Sequence, residues 1–224
     1  MFLFKIFLML MKKRVDFQSW SRREYYEHFG RCDDPYFGVT VNVDCTVAYE
    51  FCKQFGYSFF VYYMFESIRA VNQIENFRYR IIDKDIWLFD TVHASTTVGR
   101  SDGTFGFAFF EYTEDFSVFQ KNASKQIDMV QKTCGLRADD NAKRLDVIHY
   151  TTLPWFSFTS FRHEKNFKCN ESIPKVAFGK FFEQNNRKWL PLSIHVNHGL
   201  MDGYHIGKYL ELFQTGLNKT CDLL

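Results

Sequence analysis

Proline is scarce, with four residues in a chain of 224, and no low-complexity linker or internal repeat interrupts the sequence. That excludes a proline-rich or disordered protein. Charge of one sign is also missing: 28 basic residues stand against 26 acidic, a net +2, so nothing demands nucleic acid as a partner. The basic run Lys12-Lys13-Arg14 is short and reads as a solvated stretch. None of the six cysteines (Cys32, Cys45, Cys52, Cys134, Cys169, Cys221) stands in a C-x-x-C pair, so a redox or zinc motif of that type is absent. Free thiols in a reducing compartment, and hence a cytoplasmic location, are the expectation.

Long apolar runs are lacking too. Residues 1–11 read MFLFKIFLMLM, but Lys5 breaks the run, and a spanning helix needs about 20 apolar residues. A signal peptide carries its charge before the apolar run and a small-residue cleavage site after it; here the basic residues follow. An ordinary terminal segment, or a start at Met11, accounts for this stretch, and a weak membrane anchor is the other reading. We take residues 1–14 as an N-terminal extension and 15–224 as a single domain, with no membrane partner expected.

What is present in quantity is aromatic. The chain has 27 Phe and 12 Tyr, and its hydrophobic fraction is 46%. Phe and Tyr favour half-buried pleated surfaces, and this length buries a core without staples. Ser19 is placed to cap a helix containing Trp20, Arg22, Arg23 and Glu24. The alternation over Val39–Val43 predicts a strand. Thr46 is placed to cap a helix ending near Gly56, and Ser58 a longer one through Ile74; the aromatic run from Phe55 to Phe65 reads as core. Residues 77–82 and 86–89 flank a tight turn at Asp83-Lys84-Asp85. Residues 104–112 and 145–151 read as strands, and 115–131 as a helix. Residues 176–183 and 188–196 form a hairpin, and a helix follows Gly203 with Ile206, Tyr209, Leu210 and Phe213 on one face. The fold class is α/β of the α+β kind, a mixed β-sheet with helices packed on it, because strict strand–helix alternation is absent.

One segment carries chemistry: Pro191 to Leu210, PLSIHVNHGLMDGYHIGKYL. In an extended strand Leu192, Ile194 and Val196 face one way, while Ser193, His195 and Asn197 face the other. His198 then falls where the strand runs out. A neutral imidazole can take the proton of a hydroxyl as it attacks, and it must be held in one orientation. Asp202, in a turn just beyond, can pin that loop if a cation satisfies it, and arginine is the better partner. A bland alternative is a strand-end histidine beside a turn aspartate. A metal reading of His195, His198, Asp202 and His205 is disfavoured, because His195 and His198 fall on opposite faces and the spacing is not H-E-x-x-H; no metal is expected. His28, His93, His149 and His163 read as ordinary surface or satisfied core histidines, and His205 as packing at a helix start.

The stretch His198-Gly199-Leu200-Met201-Asp202-Gly203 followed by Tyr204-His205-Ile206-Gly207 resembles the signature of the chloramphenicol acetyltransferase family and, more distantly, of dihydrolipoamide acyltransferases. Trp20-Ser21-Arg22-Arg23-Glu24, Ala70-Val71-Asn72 with Phe77-Arg78, Thr104-Phe105, Leu153-Pro154-Trp155, Gly179-Lys180-Phe181 and Pro191-Leu192-Ser193-Ile194 match the family in order, so the resemblance spans roughly residues 15–215.

The resemblance implies the CoA-dependent acyltransferase fold and transfer of acetyl from acetyl-CoA, a co-substrate rather than a permanently bound cofactor, to a hydroxyl of chloramphenicol. His198 matches the general base, Asp202 the loop-supporting carboxylate, Arg22 its ion-pair partner and Thr151 a hydroxyl that stabilises the oxyanion. Trp155 and Lys180 lie where the family contacts coenzyme A, and Phe29, Phe37 and Phe105 fall on the acceptor side. A homotrimer with active sites between subunits is implied. The departures are Asn197 for a usual histidine, Ala177 for a threonine, Phe29 for a tyrosine, and Asp33-Asp34-Pro35-Tyr36-Phe37 for a short apolar stretch. They spare the base and alter the acceptor side. A different hydroxyl acceptor, or a silent small-molecule-binding homologue, therefore stands beside the antibiotic as a reading.

Overall fold

A computed structural model describes residues 12–137, 143–164 and 171–219. The apolar run 1–11, Cys169 and Cys221 lie outside the described residues. Among the described residues ten strands and five α-helices follow in chain order: β1 (Lys12–Arg14), α1 (Arg23–Phe29), β2 (Tyr36–Asp44), α2 (Thr46–Phe55), α3 (Phe59–Asn72), β3 (Tyr79–Ile82), β4 (Asp85–Phe89), β5 (His93–Gly99), β6 (Phe105–Phe110), α4 (Phe116–Gln131), β7 (Val147–Leu153), β8 (Lys175–Gly179), β9 (Phe182–Gln184), β10 (Arg187–Asn197) and α5 (Gly203–Asn218).

The main sheet has the order β2-β10-β8-β7-β5-β6, with β9 also paired to β10. It is mixed: β7 runs parallel to β5 and β8, and the remaining pairs are antiparallel. Strand alternation gives the sheet two unlike faces. Val39, Val41 and Val43 of β2 lie beside Ile194, Leu192 and Leu190 of β10 in register. With Val176, Phe178, Ile148 and Tyr150 they enter one core with Met64, Phe65 and Ile68 of α3 and Tyr209 and Phe213 of α5. The opposite face carries Thr40, Ser193, Ala177 and Thr151 in one cross-strand row. The chain after β7 crosses part of this second face: Ser193 Oγ donates to the Phe161 carbonyl (3.4 Å), and the His163 ring meets that of His195 edge-on at 5.4 Å.

A second, three-stranded sheet, β1-β4-β3, makes a small core of Trp20, Tyr79, Ile86 and Leu88 around Leu200. Its hairpin turns at Asp83 and Lys84, both at positive φ (51° and 71°), the conformation that a two-residue hairpin loop requires. The basic run at residues 12–14 is more than a solvated stretch, since it pairs with β4.

Two cap assignments need correction. Residue 22, not Ser19, precedes the first turn of α1, and no side chain caps it; Ser19 Oγ bonds the Asp16 carboxylate instead (2.8 Å). Thr46 does not cap α2 either. The Asp44 carboxylate accepts from both its N–H (2.9 Å) and its hydroxyl (2.6 Å). Ser58 does cap α3, accepting from the Val61 N–H. His163 is not a satisfied core histidine, because its buried ring nitrogens have no hydrogen-bond partner among the described residues. Strand β5 had no counterpart among the predicted elements.

Candidate active site

Strand β10 ends at Asn197, and the next residues turn sharply into α5. The His198 N–H donates to the Pro35 carbonyl (2.7 Å), extending the β2–β10 ladder by one residue. The imidazole stacks on Phe29 at 3.7 Å between centroids and 12° between planes, and Phe37 leans on it at 4.5 Å. His198 Nδ1 is buried with no hydrogen-bond partner among the described residues. The ring is thus held by aromatic packing.

Arg22 clamps the turn from below. Its guanidinium donates to the Asp202 carboxylate (2.8 Å), the His198 carbonyl (3.1 Å) and the Gly199 carbonyl (3.4 Å). The planar fork suits three acceptors set around one bend. Burial pushes the Asp202 carboxyl upward, but the Arg22 hydrogen bond and the neighbouring His205 and Arg22 charges outweigh it and hold the group below its ordinary value. Asp202 also caps α5, accepting from the Tyr204 N–H (3.1 Å). His205 Nδ1 lies 2.8 Å from the same carboxylate oxygen and 3.2 Å from the Asp202 backbone nitrogen. Nδ1 donates to the carboxylate when it carries the proton and accepts from the N–H when it does not, and the charge-assisted contact is the stronger. His205 therefore does more than pack at the helix start.

Three further contacts secure the turn that sequence reasoning did not single out. Asn197 Oδ1 accepts from the Gly199 N–H (2.9 Å), Asn76 Nδ2 donates to the Leu200 carbonyl (2.9 Å), and Leu200 is fully buried in the small core. The first was readable as an Asn-x-Gly turn; the second, reaching in from a distant segment, left no local trace.

The expected site residues thus fall into two groups. Arg22, Phe29, Phe37, His198 and Asp202 meet. Thr151 does not join them. It sits two strands from β10 in the row Thr151–Ala177–Ser193, and His198 lies further along β10, so strand spacing and rise separate the two by ~18 Å within one chain. Trp155 is 70% exposed. Lys180, also exposed, is tied near it by a backbone bond to Phe156 (2.9 Å). Phe105 is 46% exposed at the far edge strand. A groove of about 580 Å³ beside β1 and β4, lined by Arg14, Asp16, Lys84 and Asp85 among others, contains none of these residues. Among the described residues no His, Cys, Asp and Glu side chains converge as a metal site, and no helix is long and apolar enough to cross a membrane.

The mixed sheet, its helix-covered face and the histidine turn define a CoA-dependent acyltransferase fold. The family model described as chloramphenicol acetyltransferase matches residues 10–214. The chain belongs to that family and is an enzyme of the acyltransferase class. It is 26% identical to a chloramphenicol acetyltransferase of Campylobacter coli, over 92% of this chain and 98% of that one, and 29% identical to one of Staphylococcus aureus, over 90% and 93%. A solved chloramphenicol acetyltransferase structure superposes with a TM-score of 0.88 at 28% identity, over 92% of this chain and 100% of that one. The dihydrolipoamide acetyltransferase of Azotobacter vinelandii, 13% identical with a TM-score of 0.66 and coverage of 89% and 88%, shares the fold.

Proposed function

We propose that the protein transfers an acetyl group from acetyl-CoA to a hydroxyl of chloramphenicol, at sites completed between subunits of a cytoplasmic homotrimer. The observation that carries this reading is the separation of His198 from Thr151. The base half of the site is assembled within one chain, while the hydroxyl, Trp155 and Phe105 face outward some distance away. Cyclic symmetry lets one chain's base face the partner subunit's Thr151. Free thiols at Cys32, Cys45, Cys52 and Cys134 agree with a reducing compartment.

In this mechanism His198 Nε2 takes the acceptor hydroxyl proton while the oxygen attacks the thioester carbonyl. Thr151 of the partner subunit donates to the developing oxyanion; one such donor is worth about 3 kcal/mol. Collapse of the tetrahedral intermediate breaks the carbon–sulfur bond, and the imidazolium returns its proton to the departing coenzyme A thiolate. The Arg22–Asp202 pair holds the turn and carries no proton.

A second acceptor is favoured by one observation. Phe29, the residue in stacking contact with the base, lacks the hydroxyl of the family's tyrosine, and Asp33-Asp34 follow within five residues. Both changes alter the acceptor side and leave the base unchanged.

Purified protein should release free thiol from acetyl-CoA when given chloramphenicol, and His198→Ala should lower the rate by about 10³-fold or more. Release with another alcohol but not chloramphenicol selects the second acceptor; no release with a broad alcohol panel overturns the proposal. Co-refolding equal amounts of His198→Ala and Thr151→Ala chains should restore about one quarter of wild-type activity, since that fraction of subunit boundaries carries both native residues. No gain over the unmixed variants would refute a site shared between subunits.

A further inference from the structure

We infer that Asn197 is a positioning residue for the base. This role rests on the reading of His198 as that base. Asn197 is the last residue of β10 and is 5% exposed. Both ends of its amide are engaged. Oδ1 accepts from the Gly199 N–H (2.9 Å), closing a ring around the single residue His198, and Nδ2 donates to the Glu171 carbonyl (3.2 Å). Its backbone carbonyl accepts from the Leu200 and Met201 N–H groups (3.0 and 3.2 Å). An Asx-type turn of this kind substitutes a side-chain oxygen for a backbone one and sets the direction of the intervening residue.

The other restraints on His198 act elsewhere. Pro35 holds its N–H, Arg22 holds its carbonyl, and Phe29 holds one ring face. Of these, only Arg22 touches the peptide that leaves His198, and it does so at the carbonyl end. That peptide ends at the Gly199 nitrogen, the atom Asn197 binds. Gly199 leaves little slack: a Cβ there would lie 3.2 Å from Asn197 Oδ1 and 3.2 Å from Tyr26 Cα. Asn197 stands where the family usually has a histidine, so the exchange exploits a feature of asparagine: acceptor and donor share one carbon, close enough to the backbone to bridge a single residue.

The test compares three variants of the full-length protein, each first shown to keep its thermal midpoint above the assay temperature and its wild-type oligomeric size. Asn197→Ala and Asn197→Leu remove the acceptor. Each should lose about 10–100-fold in kcat, with KM for acetyl-CoA within about twofold, as expected when a reacting group is misplaced by about an ångström. Asn197→Asp keeps an acceptor for the Gly199 N–H and adds a negative charge one residue from the imidazole. The charged and titratable groups around this turn are Arg22, Asp202 and His205, with the Glu171–Lys175 ion pair on the segment that Asn197 Nδ2 bonds. Asn197→Asp should lose less kcat than Asn197→Ala and move the acid limb of the pH–rate profile to higher pH, because a nearby negative charge favours the protonated ring. Wild-type kcat in Asn197→Ala and Asn197→Leu overturns the proposal. So does an unshifted acid limb in Asn197→Asp. Retained activity in His198→Ala would instead refute the assignment of the base, and is read independently.

Discussion

Arg22 and Asp202 meet across 2.8 Å with unequal exposure: the guanidinium is 8% exposed and the carboxylate 31%. Arg22 is the more dependent partner, because it also carries the His198 and Gly199 carbonyls on a buried fork. Asp202 keeps two further contacts, to the Tyr204 N–H and to His205.

Substituting this pair should therefore be asymmetric. Arg22→Ala takes the shared donor from the His198 and Gly199 carbonyls and the ion pair from Asp202, and should lower stability by about 3 kcal/mol. Asp202→Asn keeps a capping oxygen for α5 and should cost less. The Asp202 carboxyl titrates below its ordinary value of 3.8. Its contribution is thus complete above that value and is lost as pH falls through the lower folded-state value. Denaturant titrations near neutral pH and at about pH 3 should show the Asp202→Asn deficit shrinking in acid; a constant deficit would exclude the charged pair as its source.

Gly38 makes a second contact that can be tested. It lies opposite His195 across the β2–β10 register, and a Cβ on it would fall 2.5 Å from His195 Nε2 and 2.6 Å from Cδ2. Gly38→Ala should destabilise by about 1–3 kcal/mol through overpacking. Adding His195→Ala removes the obstacle, so the double variant should be more stable than the sum of the two single losses predicts. Thermal melts of the four proteins measure this, and simple additivity would show that the ring is free to move aside.

Glu66 provides a pH signature away from the His198 turn. Its carboxyl is 1% exposed in α3, ion-paired with Arg69 at 2.6 Å. Burial pushes its pKa up from 4.5 to about 7, against the pull of Arg69. The folded state thus prefers the protonated form. Stability from this group is complete below the ordinary value and is lost as pH rises through about 7. Between about pH 5 and about pH 8 the loss should reach up to about 3 kcal/mol. Glu66→Gln should flatten that dependence and melt above wild type at the alkaline end. A variant that tracks wild type at both pH values would refute the buried charge. Gly216 of α5 permits the contact, since a Cβ there would meet Glu66 Oε2 at 2.1 Å.

Much of the architecture was legible because its causes are local. The alternation in β10, the Ser58 cap and the Asp83-Lys84 turn each depend on a few adjacent residues. Strand β5 was missed because His93-Ala94-Ser95-Thr96-Thr97-Val98-Gly99 has small and polar residues where apolar ones would announce a buried face; its neighbours β6 and β7 supply the burial. Ser19 misled for a related reason, since a serine next to a helix serves equally well in the Asp16 turn before it.

By itself the sequence determined the family, the acyltransferase class and the candidate base, since the ordered motifs ending in the His198 turn are written in consecutive residues. It also determined the amphipathic strands that build the sheet, because side-chain alternation is a property of the extended chain. Only the tertiary structure decided that Phe29 and Phe37 enclose His198, that Arg22 grips a turn distant in sequence, and that Thr151 stands two strands away in the same chain. Those relations depend on which strands pair and on what register they take, and pairing is settled by burial summed over the whole sheet.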